Sequence, residues 1–203
     1  MRNCGKVLLV ASVAALSLAL ATGAAGANRS IVLSPAEGEL GRVEARSTAL
    51  TFTDPEASFS LICEVTRTLR LNRSIAKTAG VQVGSVTAVE VRNCRGGAIK
   101  FLTETLPWRI TYVSFAGTLP AISELRLEIR LGGFLLRNFL GTAECLYVGS
   151  IQETTNGRPI NSASVEELRE VPFGKNLGLV ECPAQVIISG TLNFRPIVEM
   201  RLM

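Results

Sequence analysis

The chain of 203 residues contains no histidine and a single aspartate, Asp54. These two shortages remove the usual general base of serine and cysteine hydrolases, the commonest zinc and iron ligand, and any Asp-rich calcium loop. Most extracellular enzyme chemistry depends on one of those parts, so the reading leans away from catalysis and assigns no catalytic residue and no cofactor. Lysine is also scarce, with 4 residues against 17 arginines. Alongside abundant Ala, Gly and Leu, that bias reads as the mark of a GC-rich genome rather than of a phosphate-binding surface.

The first residues do carry a signal. Arg2 and Lys6 make a short basic start, Val7 to Ala21 is uncharged, and Ala25-Gly26-Ala27 has the small-x-small pattern of a signal-peptidase site. Residues 1–27 are therefore expected to be a secretory signal cleaved after Ala27, with 28–203 forming one domain. The competing reading is an uncleaved anchor, since Val7 to Ala27 is long enough to span a bilayer, although its Ala- and Gly-rich second half gives little hydrophobic drive. A lipoprotein anchor needs a cysteine at the cleavage site, and Cys4 sits in the basic start instead. No later stretch has the uncharged length of a membrane helix, so no transmembrane segment is expected in the mature chain.

Removal of Arg2 and Lys6 leaves 19 basic and 17 acidic residues, a net charge of +2. That is too weak to imply a nucleic-acid partner. Four cysteines remain, Cys63, Cys94, Cys145 and Cys182, and an even count in an exported chain reads as two disulfides. Three pairings exist, and locality favours Cys63–Cys94 with Cys145–Cys182. The rival reading, a four-cysteine metal site, is weak because no two cysteines are close enough to form a metal knuckle.

Strand periodicity is the strongest structural signal. Phe59, Leu61, Cys63, Val65, Leu69 and Leu71 occupy odd positions, and Leu125, Leu127, Ile129 and Leu131 alternate with Glu124, Arg126, Glu128 and Arg130. Val198, Met200 and Leu202 alternate with Glu199 and Arg201. Half-buried strands need this period of two, because successive side chains point to opposite faces. Val81–Val91, Ala98–Leu102, Trp108–Phe115 and Gln185–Phe194 read as more deeply buried strands. Turn chemistry separates the strands at Arg95-Gly96-Gly97, 117–120, Gly132-Gly133 and 156–159. The fold class is accordingly all-β, an antiparallel β-sandwich with a β-barrel as the alternative. At most one short helix is expected, where Ser164 and Glu167 resemble a capping box and Val165, Leu168 and Val171 keep helical spacing before Pro172. The stretch from Asn28 to about Asp54 is polar and reads as a loosely packed lead-in.

Several motifs yield to plainer readings. Ser74-Ile75-Ala76-Lys77 matches the Ser-x-x-Lys of penicillin-binding enzymes, but the accompanying Ser-Asp-Asn and Lys-Thr-Gly elements do not occur. Glu124 and Glu128 lie about 13 Å apart if on one strand. A retaining glycosidase needs roughly 5 Å, and an inverting one under about 10 Å. The alternating Glu and Arg instead read as a solvated face. Arg67, Arg70 and Arg73 are divided by the alternation, which sets Arg70 opposite the other two. Trp108 shares strand parity with Tyr112, so the pair reads either as core or as a ligand platform. Asn28-Arg29-Ser30 and Asn72-Arg73-Ser74 fit the N-glycosylation pattern, meaningful only in a eukaryotic secretory pathway.

The segments Cys63-Glu64-Val65-Thr66, Asn93-Cys94-Arg95-Gly96-Gly97 and Leu106 through Pro120, with Cys145-Leu146-Tyr147 and Cys182-Pro183, resemble a group of uncharacterised exported proteins of high-GC actinobacteria. The resemblance implies export and a four-cysteine framework and supplies no catalytic residues. The function expected is that of a secreted or cell-envelope module that binds an extracellular ligand or serves a structural role. The alternatives are a small extracellular hydrolase using glutamates and a membrane-associating β-protein. Two glutamates converging in a cleft would favour the hydrolase, and a flat apolar patch would favour a protein partner.

Overall fold

Alternation along the chain becomes a nearly continuous set of strands in the computed structural model, which describes residues 30–35, 42–55, 59–118, 121–138, 140, 143–156, 160–165, 171–177 and 182–202. The expected signal segment and its cleavage point after Ala27 lie outside them. The strands are β1 (Ile31–Pro35), β2 (Val43–Thr53), β3 (Ser60–Leu71), β4 (Ser74–Ile75), β5 (Gln82–Arg95), β6 (Gly97–Phe101), β7 (Trp108–Thr118), β8 (Ala121–Asn138), β9 (Glu144–Asn156), β10 (Ile160–Val165), β11 (Val171–Asn176) and β12 (Gln185–Leu202). Their pairings are all antiparallel.

Of the two all-β architectures, the barrel is the one formed. Pairing runs β2–β3–β5–β7–β8–β9–β10–β12 and returns to β2, a closed ring of eight strands. Closure satisfies the edge backbone groups that an open sheet would expose. The ring changes members along its length. Toward one end β6 takes up pairing with the last residues of β8, where Phe101 faces Phe134. At the same end β11 lies between the first residues of β9 and the start of β12. The other end is closed by β1, which pairs with both the tail of β12 and β4 and buries Ile31 and Leu33 beside Ile75.

Inward parity follows the sequence pattern wherever a strand is regular. Leu61, Cys63, Val65 and Leu69 of β3 are buried, as are Leu125, Leu127, Ile129 and Leu131 of β8 and Val186, Ile188, Leu192, Phe194, Val198 and Met200 of β12. Inside, Phe52, Phe101, Phe134 and Tyr147 form an aromatic cluster, with Phe52 and Phe101 each 5.8 Å from Phe134 between ring centroids. Tyr147 stacks on Phe134 at 5.6 Å. Such pairs add to the burial energy of the rings.

Three local expectations are corrected. Within the stretch from Asn28 to Asp54, the described residues are no loose lead-in, because they supply β1 and the barrel strand β2. Its pattern is hidden by a bulge between Ser47 and Leu50, which switches the buried set from Val43, Ala45 and Ser47 to Leu50, Phe52 and Asp54. Gly132-Gly133 is likewise no turn between strands but a bulge inside β8, after which Phe134 and Leu136 face inward in place of the odd residues. Gly132 is required there because a Cβ would collide with the Thr105 hydroxyl and the Trp108 ring nitrogen. Finally, Ser164 and Val165 end strand β10 and Val171 begins β11, so no helix includes them, while 166–170 lie outside the described residues. Among the described residues the sole helical element is a 3-10 turn at Thr103–Thr105. Cross-strand pairing and burial outweigh the local capping pattern.

Candidate functional site: a recess at one end of the barrel

The end built by β6 and β11 holds a recess of about 730 Å³. Its walls come from the end of β2 (Asp54), the start of β3 (Phe59, Leu61), the β8–β9 hairpin (Leu136, Asn138, Cys145, Tyr147) and the segment leading into β12 (Cys182 to Gln185). Chain topology explains this convergence, since every contributing strand starts or stops at that end. Most of the wall is apolar, and the volume falls within the range of small-molecule sites. Exposed apolar residues flank the recess in the chain: Leu140, between β8 and β9, is 78% exposed, and Leu177 after β11 is 50% exposed.

The disulfides set two parts of this arrangement. Cys145 is bonded to Cys182, which ties the Cys182–Gln185 segment to β9 and makes the bridge itself part of the wall. Cys63 is bonded to Cys94 within the barrel wall. There the β3–β5 ladder skips from Ile62–Arg95 to Glu64–Arg92. Asn93 takes a left-handed conformation at φ 49°, and its side-chain amide donates to Glu64 at 3.0 Å. That bulge brings Cys94 to the fully buried Cys63. The Asn93 hydrogen bond is also the main reason the Glu64 carboxyl is held below its ordinary range; partial desolvation opposes it and Arg46 assists.

Asp54 is 4% exposed and lines the recess together with Tyr147. The Tyr147 hydroxyl donates to the Pro183 carbonyl at 3.0 Å. Burial, followed by the negative charge of Asp54, pushes the Tyr147 phenol from 10 up to about 12. Burial alone also raises Tyr112. Because both folded values lie above the unfolded one, the stability these phenols contribute is complete below pH 10 and is lost at higher pH, for Tyr147 as pH rises through about 12. A near-ultraviolet absorbance titration is therefore expected to show no phenolate step at the ordinary tyrosine pKa while the protein is folded, and Tyr147→Phe should remove the highest step. A normal titration of both tyrosines would contradict the burial described here. Arg137, also at the recess, is paired with Glu144 at 2.7 Å.

The residues singled out by sequence are dispersed. Trp108 and Tyr112 are 3% and 4% exposed, so they are core residues and present no open platform. The Trp108 ring packs against Phe101 at 5.6 Å, and its N–H donates to the Thr105 hydroxyl at 2.7 Å. Glu124, Arg126, Glu128 and Arg130 lie on the outer face of β8, where Glu128 accepts a hydrogen bond from Ser150 at 2.6 Å. Ser74 belongs to the short strand β4 and is exposed, far from the helix start that a Ser-x-x-Lys enzyme needs. Asn72 is exposed and donates to the Gln82 carbonyl at 2.9 Å. Arg70 and Arg73 are exposed while Arg67 is buried, so the three arginines form no patch.

Sequence reading missed two features. One is the recess, whose residues are scattered over the chain. The other is an ion pair across the barrel interior, where Arg67 Nη2 lies 2.6 Å from Glu153 Oε1 with side chains 5% and 3% exposed. The faint signal was parity, since Arg67 sits on the inward register of β3 among Leu61, Cys63, Val65 and Leu69, and Glu153 follows Cys145, Tyr147 and Ile151 on the inward register of β9. No protein-family model, curated protein or solved structure matches the chain.

Proposed function

We propose that this chain is a secreted or cell-envelope, non-catalytic binding module that takes a small, mainly apolar molecule into the end of its barrel. The observation that carries the reading is the recess of about 730 Å³, walled by apolar side chains and a disulfide. Closed eight-stranded barrels with an open end suit this use, because the packed interior holds the walls rigid while the end remains accessible. Two disulfides are compatible with an oxidising compartment outside the cytoplasm. No helix among the described residues is long and apolar enough to cross a membrane. A β-barrel in lipid would need an apolar outer band. The outer face of β2, β3 and β5 instead carries Arg42, Glu44, Arg46, Glu64, Glu90 and Arg92. For a glutamate hydrolase, two carboxyl groups should converge in the recess, whereas among the described residues the carboxylate lining it is Asp54.

Titration with the neutral apolar fluorophore N-phenyl-1-naphthylamine tests the reading. Saturable enhancement with a micromolar Kd is expected. Ala184→Trp places a bulky ring at an exposed position of the wall and should weaken uptake by about tenfold or more. Unsaturable fluorescence, or uptake indifferent to Ala184→Trp, would remove the binding role.

A further inference from the structure

Ring closure leaves a seam without a ladder. From Gly84 to Val86, β5 is paired with both β3 and β7, but from Thr87 to Arg95 its one ladder among the described residues is with β3. β6 follows directly through Gly96, as in a hairpin, yet it is paired with β8 alone. Among the described residues, no backbone hydrogen bond of the segment 102–107 reaches β5 either. β6 and β7 share one edge of β8, the other edge being taken by β9, so the free edges of β5 and β6 face each other. Side chains mark the same opening. Val89 and Val91 stand opposite Arg67 and Val65 on the inward register, where those two partners are buried. Both valines are only half-buried, as expected where the lane beside an inward apolar residue lacks a strand. On the outer face Glu90 and Arg92 pair with each other at 3.0 Å, whereas the exposed Lys100 of β6 has no counter-ion among the described residues.

An edge of this kind defines the chemistry of what covers it. A row of alternating N–H and C=O groups is matched along its length only by another extended polypeptide chain. We infer that the seam between β5 and β6 is a docking site for an extended segment of a partner protein. That segment is apolar at alternate residues, which cover Val89 and Val91, and acidic between them, where it meets Lys100. Main-chain hydrogen bonds supply the affinity, and the alternation supplies the specificity. The site does not depend on ligand uptake by the recess.

Fluorescence anisotropy with a labelled, capped heptapeptide tests this on the intact protein. The peptide alternates valine with glutamate between terminal threonines. Saturable binding is expected with a Kd below about 100 μM. N-methylation of the valines removes backbone donors without changing charge, and should weaken binding by about tenfold or more. Lysine in place of the glutamates should weaken it about threefold, and Lys100→Glu, an exposed substitution, should reverse that order. Hydrogen–deuterium exchange should show the bound peptide protecting residues 87–93 and 98–101. Absence of saturable binding, equal binding of the N-methylated peptide, or protection confined to other segments would each overturn the docking site. A charge order unchanged in Lys100→Glu would overturn the acidic preference. Sedimentation showing a dimer that the peptide does not dissociate would make a second copy the occupant and overturn the partner assignment.

Discussion

Glu153→Gln is expected to destabilise the barrel by about 3–5 kcal/mol, one of the two largest losses foreseen here. The substitution keeps the shape of the side chain but leaves the Arg67 guanidinium charged and buried without its counter-ion. The pair is close, at 2.6 Å, yet its alignment is poor. Arg67 Nε, Arg67 Nη2 and Glu153 Oε1 have no partner in hydrogen-bonding geometry. The contact is therefore mainly ionic, and aligned hydrogen bonds contribute little toward offsetting desolvation. Nearby lie Leu69, Ile129 and Phe194, which with Glu153 surround a small internal cavity of about 30 Å³. In such surroundings the paired replacement Arg67→Met with Glu153→Leu should restore stability to within about 1 kcal/mol of wild type or exceed it, because apolar side chains need no compensation there. Urea unfolding followed by the fluorescence of Trp108, the lone tryptophan, measures both variants. A single substitution costing under about 1 kcal/mol, or a double variant as weak as the single, would show that the charges are solvated and the pair is not buried as described.

Removal of either disulfide is the second large effect, and the two should differ in what they take with them. Cys63–Cys94 and Cys145–Cys182 close loops of similar sequence separation, 31 and 37 residues. Chain entropy then assigns each a contribution of about 4 kcal/mol, since the crosslink restricts the unfolded ensemble according to loop length. Paired alanine substitutions should therefore lower stability by comparable amounts. Only the Cys145→Ala, Cys182→Ala variant should also lose fluorophore uptake under conditions where it remains folded. That bridge holds the Cys182–Gln185 wall, including the Pro183 carbonyl that accepts the Tyr147 hydroxyl. Neither Cys63 nor Cys94 lines the recess, although Leu61 and Gly96, two residues from each, do, so loss of the Cys63–Cys94 bridge should weaken uptake far less. Equal loss of uptake in both variants would mean that the recess depends on global stability and not on the local tether.

The opposite fates of two neighbouring features show where sequence reading succeeded and where it stopped. On β8, Leu125 to Leu131 alternate cleanly with Glu and Arg, and the strand forms with those leucines inside. A few residues on, Gly132-Gly133 looks like a turn because glycine pairs usually end strands, yet the chain continues through a bulge. The bulge was illegible because it is selected by a distant contact: Thr105 and Trp108 press against the backbone and leave no room for a side chain. β2 was lost for the same reason, its period of two broken in phase at Ser47–Leu50. Trp108 and Tyr112, legible as an inward-facing pair, could be core or platform until their neighbours were known.

By itself the sequence determined the all-β class, the outer charged face of β8 and a four-cysteine framework suited to oxidation, because period, charge and residue count are properties of the local chain. Tertiary structure alone decided the rest. A strand with one buried face looks the same in a sandwich as in a barrel, and only the meeting of β10 with β12 closes the ring. That closure sets Arg67 against Glu153 across the interior and gathers Asp54, Tyr147 and the Cys145–Cys182 bridge around one recess. Residues so far apart in the chain meet through strand register, and register is an energy shared by the whole sheet rather than a preference of any one segment.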